Sequence, residues 1–261
     1  GILYNVDTIK EMLDGKVDTL HFDEAWLPHA TFHDFYRGMH AIGQDRPRCK
    51  ESIIFSTQST HKLLAGLSQA SQILVQDSEQ RKLDSHSFNE AYLMHTSTST
   101  QYAIIASCDV AAAMMEPPGG TALVEESILE ALDFRRAMRK VDEEFGKDWW
   151  FKVWGPEHLS EEGMGSREDW MLRANERWHG FGELAPGFNM LDPIKATVIT
   201  PGLDVSGAFS NPFRKRPDQS FGPIEELCGP ETSYRALQNG ETRWLGCRDR
   251  CRARLGWDHP G

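Results

Sequence analysis

One lysine in this sequence stands where chemistry could use it. Lys62 closes the run Ser59-Thr60-His61-Lys62, directly after the strand-like stretch Ser52-Ile53-Ile54-Phe55-Ser56. A lysine on a turn beyond a strand can hold an aldehyde as a Schiff base, and the adjacent hydroxyls and imidazole can bind a phosphate. A second strand-like run, Val17 to Phe22, reads as buried and delivers Asp23, Glu24, Ala25 and Trp26 at its carboxyl end. Each group alone has a plainer reading: Lys62 as a solvated loop lysine, Asp23 as a helix N-cap.

The elements that must position these residues give the pair its meaning. Ligands of open α/β sheets sit beyond the carboxyl ends of the strands, so Asp23 and Lys62 can face one pocket. Pyridoxal phosphate uses that combination, a lysine for the imine and a carboxylate to keep the pyridine nitrogen protonated. Upstream, residues 5 to 14 read as a helix capped by Asn5 or Asp7, with Ile9, Met12 and Leu13 inward and Gly15 as the stop. Phe32, Phe35, Tyr36 and Met39 recur at the spacing of a helix or helical turn. Downstream, Gln72 to Gln76 reads as a strand, and Phe88 to Met94 and Gln101 to Met115 as helices. The alanines of the last segment permit close packing, which makes it the expected subunit contact. After the loop Pro117-Pro118-Gly119-Gly120, a long helix begins at Thr121, with Leu123, Ile128, Leu129, Leu132, Met138, Val141 and Phe145 as its inward stripe. Ala196 to Thr200 reads as a further strand, and a linker is expected near 145–148.

Five segments together resemble one family. Asp23-Glu24-Ala25-Trp26, Ser59 to Leu64, Phe88 to Ser99, Trp178-His179-Gly180-Phe181 and Leu191-Asp192-Pro193-Ile194-Lys195 look like the large bacterial ornithine/lysine/arginine decarboxylases, in the family's order and at compatible spacings. The resemblance runs from about Ile2 to Ser210. It implies an α/β fold, part of an aspartate-aminotransferase-like (fold-type-I pyridoxal-phosphate) domain, followed by the start of a smaller α+β region. It makes Lys62 the cofactor lysine and Asp23 the partner of the pyridinium nitrogen, with Trp26 against the cofactor and Ser59 and His61 on its phosphate. Ser97 is expected to reach the phosphate in a partner subunit, because the family builds its sites across a homodimer or higher homo-oligomer. Where the family usually has proline after the residue matching Ser99, this chain has Thr100, which restores a backbone donor and frees φ. The implied reaction is decarboxylation of a basic amino acid to its amine, with arginine expected first, lysine second and ornithine open. The alternatives are an aminotransferase-like enzyme of the same cofactor class, which must retain the substrate carboxylate, and a non-catalytic truncated subunit.

Composition is compatible with this. At 261 residues, 39% hydrophobic and 26% charged, the chain is ordinary for a soluble protein. A net charge of −11 argues against a nucleic-acid or anionic-membrane surface and suits a cationic substrate. There is no apolar run long enough to span a membrane. Only Cys49 and Cys108 lie before the tail, which fits a reducing cytoplasm rather than a disulfide framework. His29 and His33, four apart, lack a third metal ligand, and no metal is expected.

The ends read differently. The chain opens on Gly1 where the family has a substantial upstream portion with further cofactor contacts, so an incomplete site is expected. Three segments are anticipated: 1–146 from the cofactor-binding major domain, 147–210 opening a smaller domain, and 211–261 as an atypical tail. That tail has no Val, one Ile, eight Arg and three Cys, and reads as foreign or frame-shifted. Cys247, Cys251 and His259 fall short of the four ligands zinc requires.

Overall fold

The computed structural model describes residues 1–199 apart from 44–45, 147–148 and 150. The linker expected near 145–148 falls partly outside these residues, and the tail 211–261 falls wholly outside. The elements are β1 (Ile2–Tyr4), α1 (Val6–Leu13), β2 (Thr19–Asp23), β3 (Ile53–Gln58), α2 (Thr60–Leu63), β4 (Gln72–Gln76), α3 (Ser85–His95), α4 (Tyr102–Met114), α5 (Gly119–Phe145), β5 (Lys152–Trp154), β6 (Asn189–Leu191) and β7 (Thr197–Ile199). Single 3-10 turns lie at Ala30–Phe32, Asp34–Tyr36 and Arg167–Trp170. The chain is mixed α/β.

The sheet that matters for function has the order β2-β3-β4, with β3 parallel to β2 and antiparallel to β4. As the centre strand, β3 buries Ile53, Ile54, Ser56 and Gln58. Among the described residues β2 pairs with β3 alone, and its expected full burial is not observed: Leu20 and Phe22 are half-buried while Thr19, His21 and Asp23 are exposed. Asp14 fixes the entry to β3 by accepting the backbone N–H groups of Lys50, Glu51 and Ser52 at 2.7 to 3.0 Å. Slight burial works to raise its pKa, but these donors outweigh it and hold the carboxyl below its ordinary value.

α1 starts as expected, with Asn5 Oδ1 accepting the Thr8 N–H at 3.0 Å, and Gly15 follows at φ +73°. Its inward stripe differs from the expected one. Val6 and Lys10 are buried and Met12 is 58% exposed. Val6 joins a core of Ala41, Cys49 and Ile54, flanked by Leu20, Phe22 and Ile42. Lys10 shares the buried face because its ammonium donates to the Ala41 carbonyl. Burial still lowers the pKa of that amine.

α5 begins at Gly119, inside the expected loop. A Cβ on Gly119 would lie 2.6 Å from the Met114 carbonyl oxygen, and one on Gly120 2.5 Å from that of Met115. Glycine therefore lets α5 start against the end of α4. The buried positions of α5 are Gly120, Val124, Ile128, Leu132 and Arg135, whereas Leu123 and Phe145 are exposed. The fully buried Arg135 donates to the carbonyls of Pro193 and Lys195, and its guanidinium lies over Trp170 at 5.1 Å. By contrast α3 buries no side chain and α4 only Ala111, leaving Tyr92, Leu93, Met94, Tyr102, Ile105 and Val110 exposed.

Two compact units divide the chain. The first comprises Gly1–Ala137, Pro156–Arg173 and Leu184–Ala196 and holds the β2-β3-β4 sheet and the antiparallel β1–β6 pair, Ile2 opposite Leu191. The second includes Met138–Gly155 and Ala174–Glu183 and pairs β5 with β7, Lys152 opposite Ile199. Within the second, the Trp178-His179-Gly180-Phe181 motif is an aromatic stack. Trp154, Trp178, His179 and Phe181 follow one another at centroid separations of 4.9, 4.5 and 5.1 Å. His179 Nδ1 accepts the Phe181 N–H, so the proton sits on Nε2, which faces Glu176 at 3.2 Å.

Candidate active site

Parallel pairing of β2 with β3 brings two carboxyl ends together. Asp23 lies opposite Thr57, and the Glu24 N–H extends the ladder by donating to the Thr57 carbonyl at 2.9 Å. β3 ends at Gln58 and the chain turns at once into α2, where the Lys62 N–H donates to the Ser59 carbonyl at 3.1 Å. Lys62 is half-buried, and its Nζ lies 4.8 Å from the centre of the exposed Trp26 ring. That cation–π contact joins the residues following β2 to those following β3. Among the described residues the Lys62 ammonium has no ion-pair partner.

Asp23 is exposed. Its Oδ1 accepts the Ala25 N–H at 3.1 Å, closing a turn at the strand end, and no α-helix starts there, so the N-cap reading does not apply. Among the described residues its other oxygen accepts no hydrogen bond. His61 is held by the loop it opens, since its backbone N–H and its Nδ1 both meet the Ala70 carbonyl, at 3.1 and 2.8 Å. A carbonyl only accepts, so Nδ1 carries the proton and Nε2 is left for a second partner. That loop is tight: a Cβ on Gly66 would lie 2.9 Å from Ala70 Cβ and 3.1 Å from the Thr60 carbonyl carbon.

The hydroxyls beside Lys62 have spare capacity. Ser59 occupies the cap position of α2 without making a side-chain cap bond. The Thr60 hydroxyl is buried without a partner, which is costly unless a ligand or water completes it. Ser97 lies on the exposed stretch after α3, where its Oγ accepts the Ser99 N–H at 3.1 Å. Among the described residues no hydrogen bond joins Ser97 to the Lys62 turn. A cleft of about 400 Å³ backs α2, lined by His29, Leu63, Leu64, Met115, Val124 and Glu130 among others, and Lys62 is not one of its walls.

The sequence reading missed the polar group behind the site. Glu24 is buried, its Oε1 accepting the Ala41 N–H at 2.6 Å and its Oε2 accepting Ser56 Oγ at 2.5 Å and Gln58 Nε2 at 3.1 Å. One signal was available. Glu24 continues the Leu20–Phe22 alternation onto the core side, where an acid has to be paired. His29 is buried, and His33 Nδ1 accepts the Phe35 N–H. The Leu191-Asp192-Pro193-Ile194-Lys195 motif forms a second buried knot. Asp192 accepts from Tyr36 Oη at 2.8 Å, Lys195 Nζ at 2.5 Å and the Ile194 N–H at 3.1 Å, with His29 Nε2 at 4.0 Å.

The donor set suits pyridoxal phosphate: an amine for its aldehyde, a carboxylate for its ring nitrogen, and a buried, unpartnered hydroxyl among others for its phosphate. Among the described residues no group of His, Cys, Asp and Glu is disposed to hold a metal. No described helix is long and apolar enough to cross a membrane.

Fold and site thus define a mixed α/β domain with its candidate chemistry at the carboxyl ends of two parallel strands. The chain belongs to the Orn/Lys/Arg decarboxylase family, whose major domain matches residues 1–212. It is 50% identical over 211 residues to the lysine decarboxylase LdcA of Pseudomonas aeruginosa, covering 80% of this chain and 28% of that protein. The biodegradative arginine decarboxylase of Escherichia coli is 38% identical over 224 residues, covering 79% of this chain and 30% of that protein. Among solved structures, lysine decarboxylase A from Pseudomonas aeruginosa superposes with a TM-score of 0.71 at 50% identity, over 81% of this chain and 28% of that one. The chain thus spans less than a third of the length of these relatives.

Proposed function

We propose that this chain contributes the cofactor lysine and the ring-nitrogen carboxylate of a pyridoxal-phosphate-dependent decarboxylase of basic amino acids, within a fold-type-I architecture. The observation that carries the reading is the placement of Asp23 at the end of β2 and of Lys62 just beyond the parallel β3, with Trp26 beside the lysine. Lys62 holds the cofactor covalently and Asp23 keeps its ring nitrogen protonated. Trp26 lies against it, Ser59 and His61 bind the phosphate, and the free Thr60 hydroxyl is a further donor. Ser97 serves the phosphate of a partner subunit. The cofactor, when bound, supplies an electron-withdrawing ring.

With the cofactor bound, Lys62 would hold it and give way to the substrate amine, Asp23 would keep its ring nitrogen protonated, and the net change in the substrate would be loss of carbon dioxide and gain of one proton at Cα from a general acid. The substrate proposed first is lysine, then arginine, with ornithine open. This reverses the arginine-first expectation, because the lysine decarboxylase relative is 50% identical and the arginine decarboxylase relative 38%. A net charge of −11 favours a cationic substrate. The exposed apolar faces of α3 and α4 suit a homo-oligomer with its sites at the subunit boundary. A cytoplasmic location completes the reading.

The test is product analysis with cofactor and each of lysine, arginine and ornithine. Amine and carbon dioxide in equal amounts, fastest from lysine, are expected. A keto acid would indicate an aminotransferase. Cofactor uptake with no product from any of the three would favour the non-catalytic subunit.

A further inference from the structure

β2 and β3 present two faces. Asp23 alternates with His21 onto one of them, where His21 Nε2 meets Thr57 Oγ1 at 2.6 Å. Leu20, Phe22 and Glu24 alternate onto the other, beside Ile54, Ser56 and Gln58 of β3. On this second face Glu24 is tied to two residues of β3. Its carboxylate accepts from Ser56 and from Gln58, and Gln58 is the last residue of β3 before the Ser59–Lys62 turn. Gln58 Oε1 in turn accepts Gln72 Nε2 of β4 at 3.0 Å, so the chain of bonds crosses all three strands at one end of the sheet. The backbone of Ala41 meets two buried charged residues, its N–H donating to Glu24 and its carbonyl accepting from Lys10.

We infer that Glu24 is a positioning residue for the cofactor site, setting where the end of β2, with Asp23, stands relative to the end of β3, with Lys62. This rests on the cofactor reading above. Glu24 follows Asp23 directly in the chain and bonds to Gln58, which lies two residues before Thr60 and four before Lys62. Its Oε1 meets a donor that cannot reverse, and its Oε2 meets Ser56 Oγ together with Gln58 Nε2. The Ala41 N–H is backbone, and the Gln58 amide is oriented by Gln72. A glutamine at position 24 that kept its oxygen on the Ala41 N–H would turn its NH2 toward Ser56 Oγ, whose hydroxyl can reverse to accept, and toward the Gln58 amide, which would have to give up its bond or turn over together with Gln72.

The full 261-residue chain and three variants are titrated with pyridoxal phosphate. The visible band of the bound cofactor is recorded, and the borohydride-fixed adduct on Lys62 is quantified by peptide mapping. Glu24→Gln is expected to weaken apparent cofactor affinity about tenfold and to move the band. Ser56→Ala, which removes one donor and leaves the carboxylate, should act in the same direction with a smaller effect. Ile128→Ala leaves a cavity under α5 and should lower the melting temperature while affinity and band stay as in the wild type. A folded Glu24→Gln chain indistinguishable from wild type overturns the inference. So does an Ile128→Ala chain that loses affinity in proportion to its stability, because Glu24 would then act on the fold alone. If Glu24→Gln does not fold, an unchanged Ser56→Ala chain overturns the inference as well. A wild-type chain with no adduct on Lys62 removes the cofactor reading itself and this inference with it.

Discussion

The two faces of the β2–β3 pair carry polar groups of similar kind in opposite states. On the covered face the Glu24 carboxylate takes three donors and is buried. On the open face the Asp23 carboxylate takes one backbone donor and is exposed, and the Lys62 ammonium has an aromatic ring for company. The residues differ by one position in the chain, and pleat alternation alone separates them. Where capacity for hydrogen bonds is filled, a charged group stabilises the fold. Where it is left open beside a turn rich in hydroxyls, the group is available to a ligand. The same contrast separates Asp192, filled by Tyr36, Lys195 and Ile194, from the buried and empty Thr60 hydroxyl.

Breaking a filled group should cost the most stability. Asp192→Ala strips Tyr36 and Lys195 of a fully buried partner and should destabilise the protein by about 3–5 kcal/mol, read as a lower urea midpoint at pH 7. If that midpoint is unchanged, the knot is not structural.

A pH series probes the same region. Burial lowers the His29 pKa from 6.5 to about 4, against the opposing pull of Asp192. The folded protein thus binds fewer protons than the unfolded chain between these values. His29 leaves stability intact above pH 6.5 and erodes it as pH falls toward 4, by at most about 3 kcal/mol. His40 is lowered to about 4 by burial in the same way and adds to the trend. Urea midpoints should decline over this range, and a His29→Gln variant should decline less steeply. Equal slopes would mean that His29 titrates normally.

The open face predicts the smallest change in stability. Asp23→Asn should stay within about 0.5 kcal/mol of wild type while cofactor occupancy falls, which separates it from Glu24→Gln. Loss of stability comparable to that of Asp192→Ala would place Asp23 among the structural groups.

Much of this arrangement is legible in the sequence. The β3 and β4 strands, the α1 cap at Asn5, the helices after residue 84 and the residues flanking Lys62 follow from local pattern and turn chemistry. What escaped is what apolar periodicity does not register. Lys10 takes an inward place of α1 in preference to Met12 because a carbonyl 31 residues away receives its ammonium. Arg135 takes the last buried position of the α5 stripe because carbonyls 58 and 60 residues downstream accept from it. Glu24 depends on partners 17, 32 and 34 residues along the chain. Buried charges are chosen by distant partners, and only the folded chain brings those partners into view.

The central claim is that the open face binds a cofactor through Lys62. It is tested most directly by adding pyridoxal phosphate to the purified chain, reducing with borohydride and mapping the labelled peptide. The account predicts a single adduct on Lys62 that disappears in Lys62→Ala. A label on another lysine, or none in a folded chain, would contradict it.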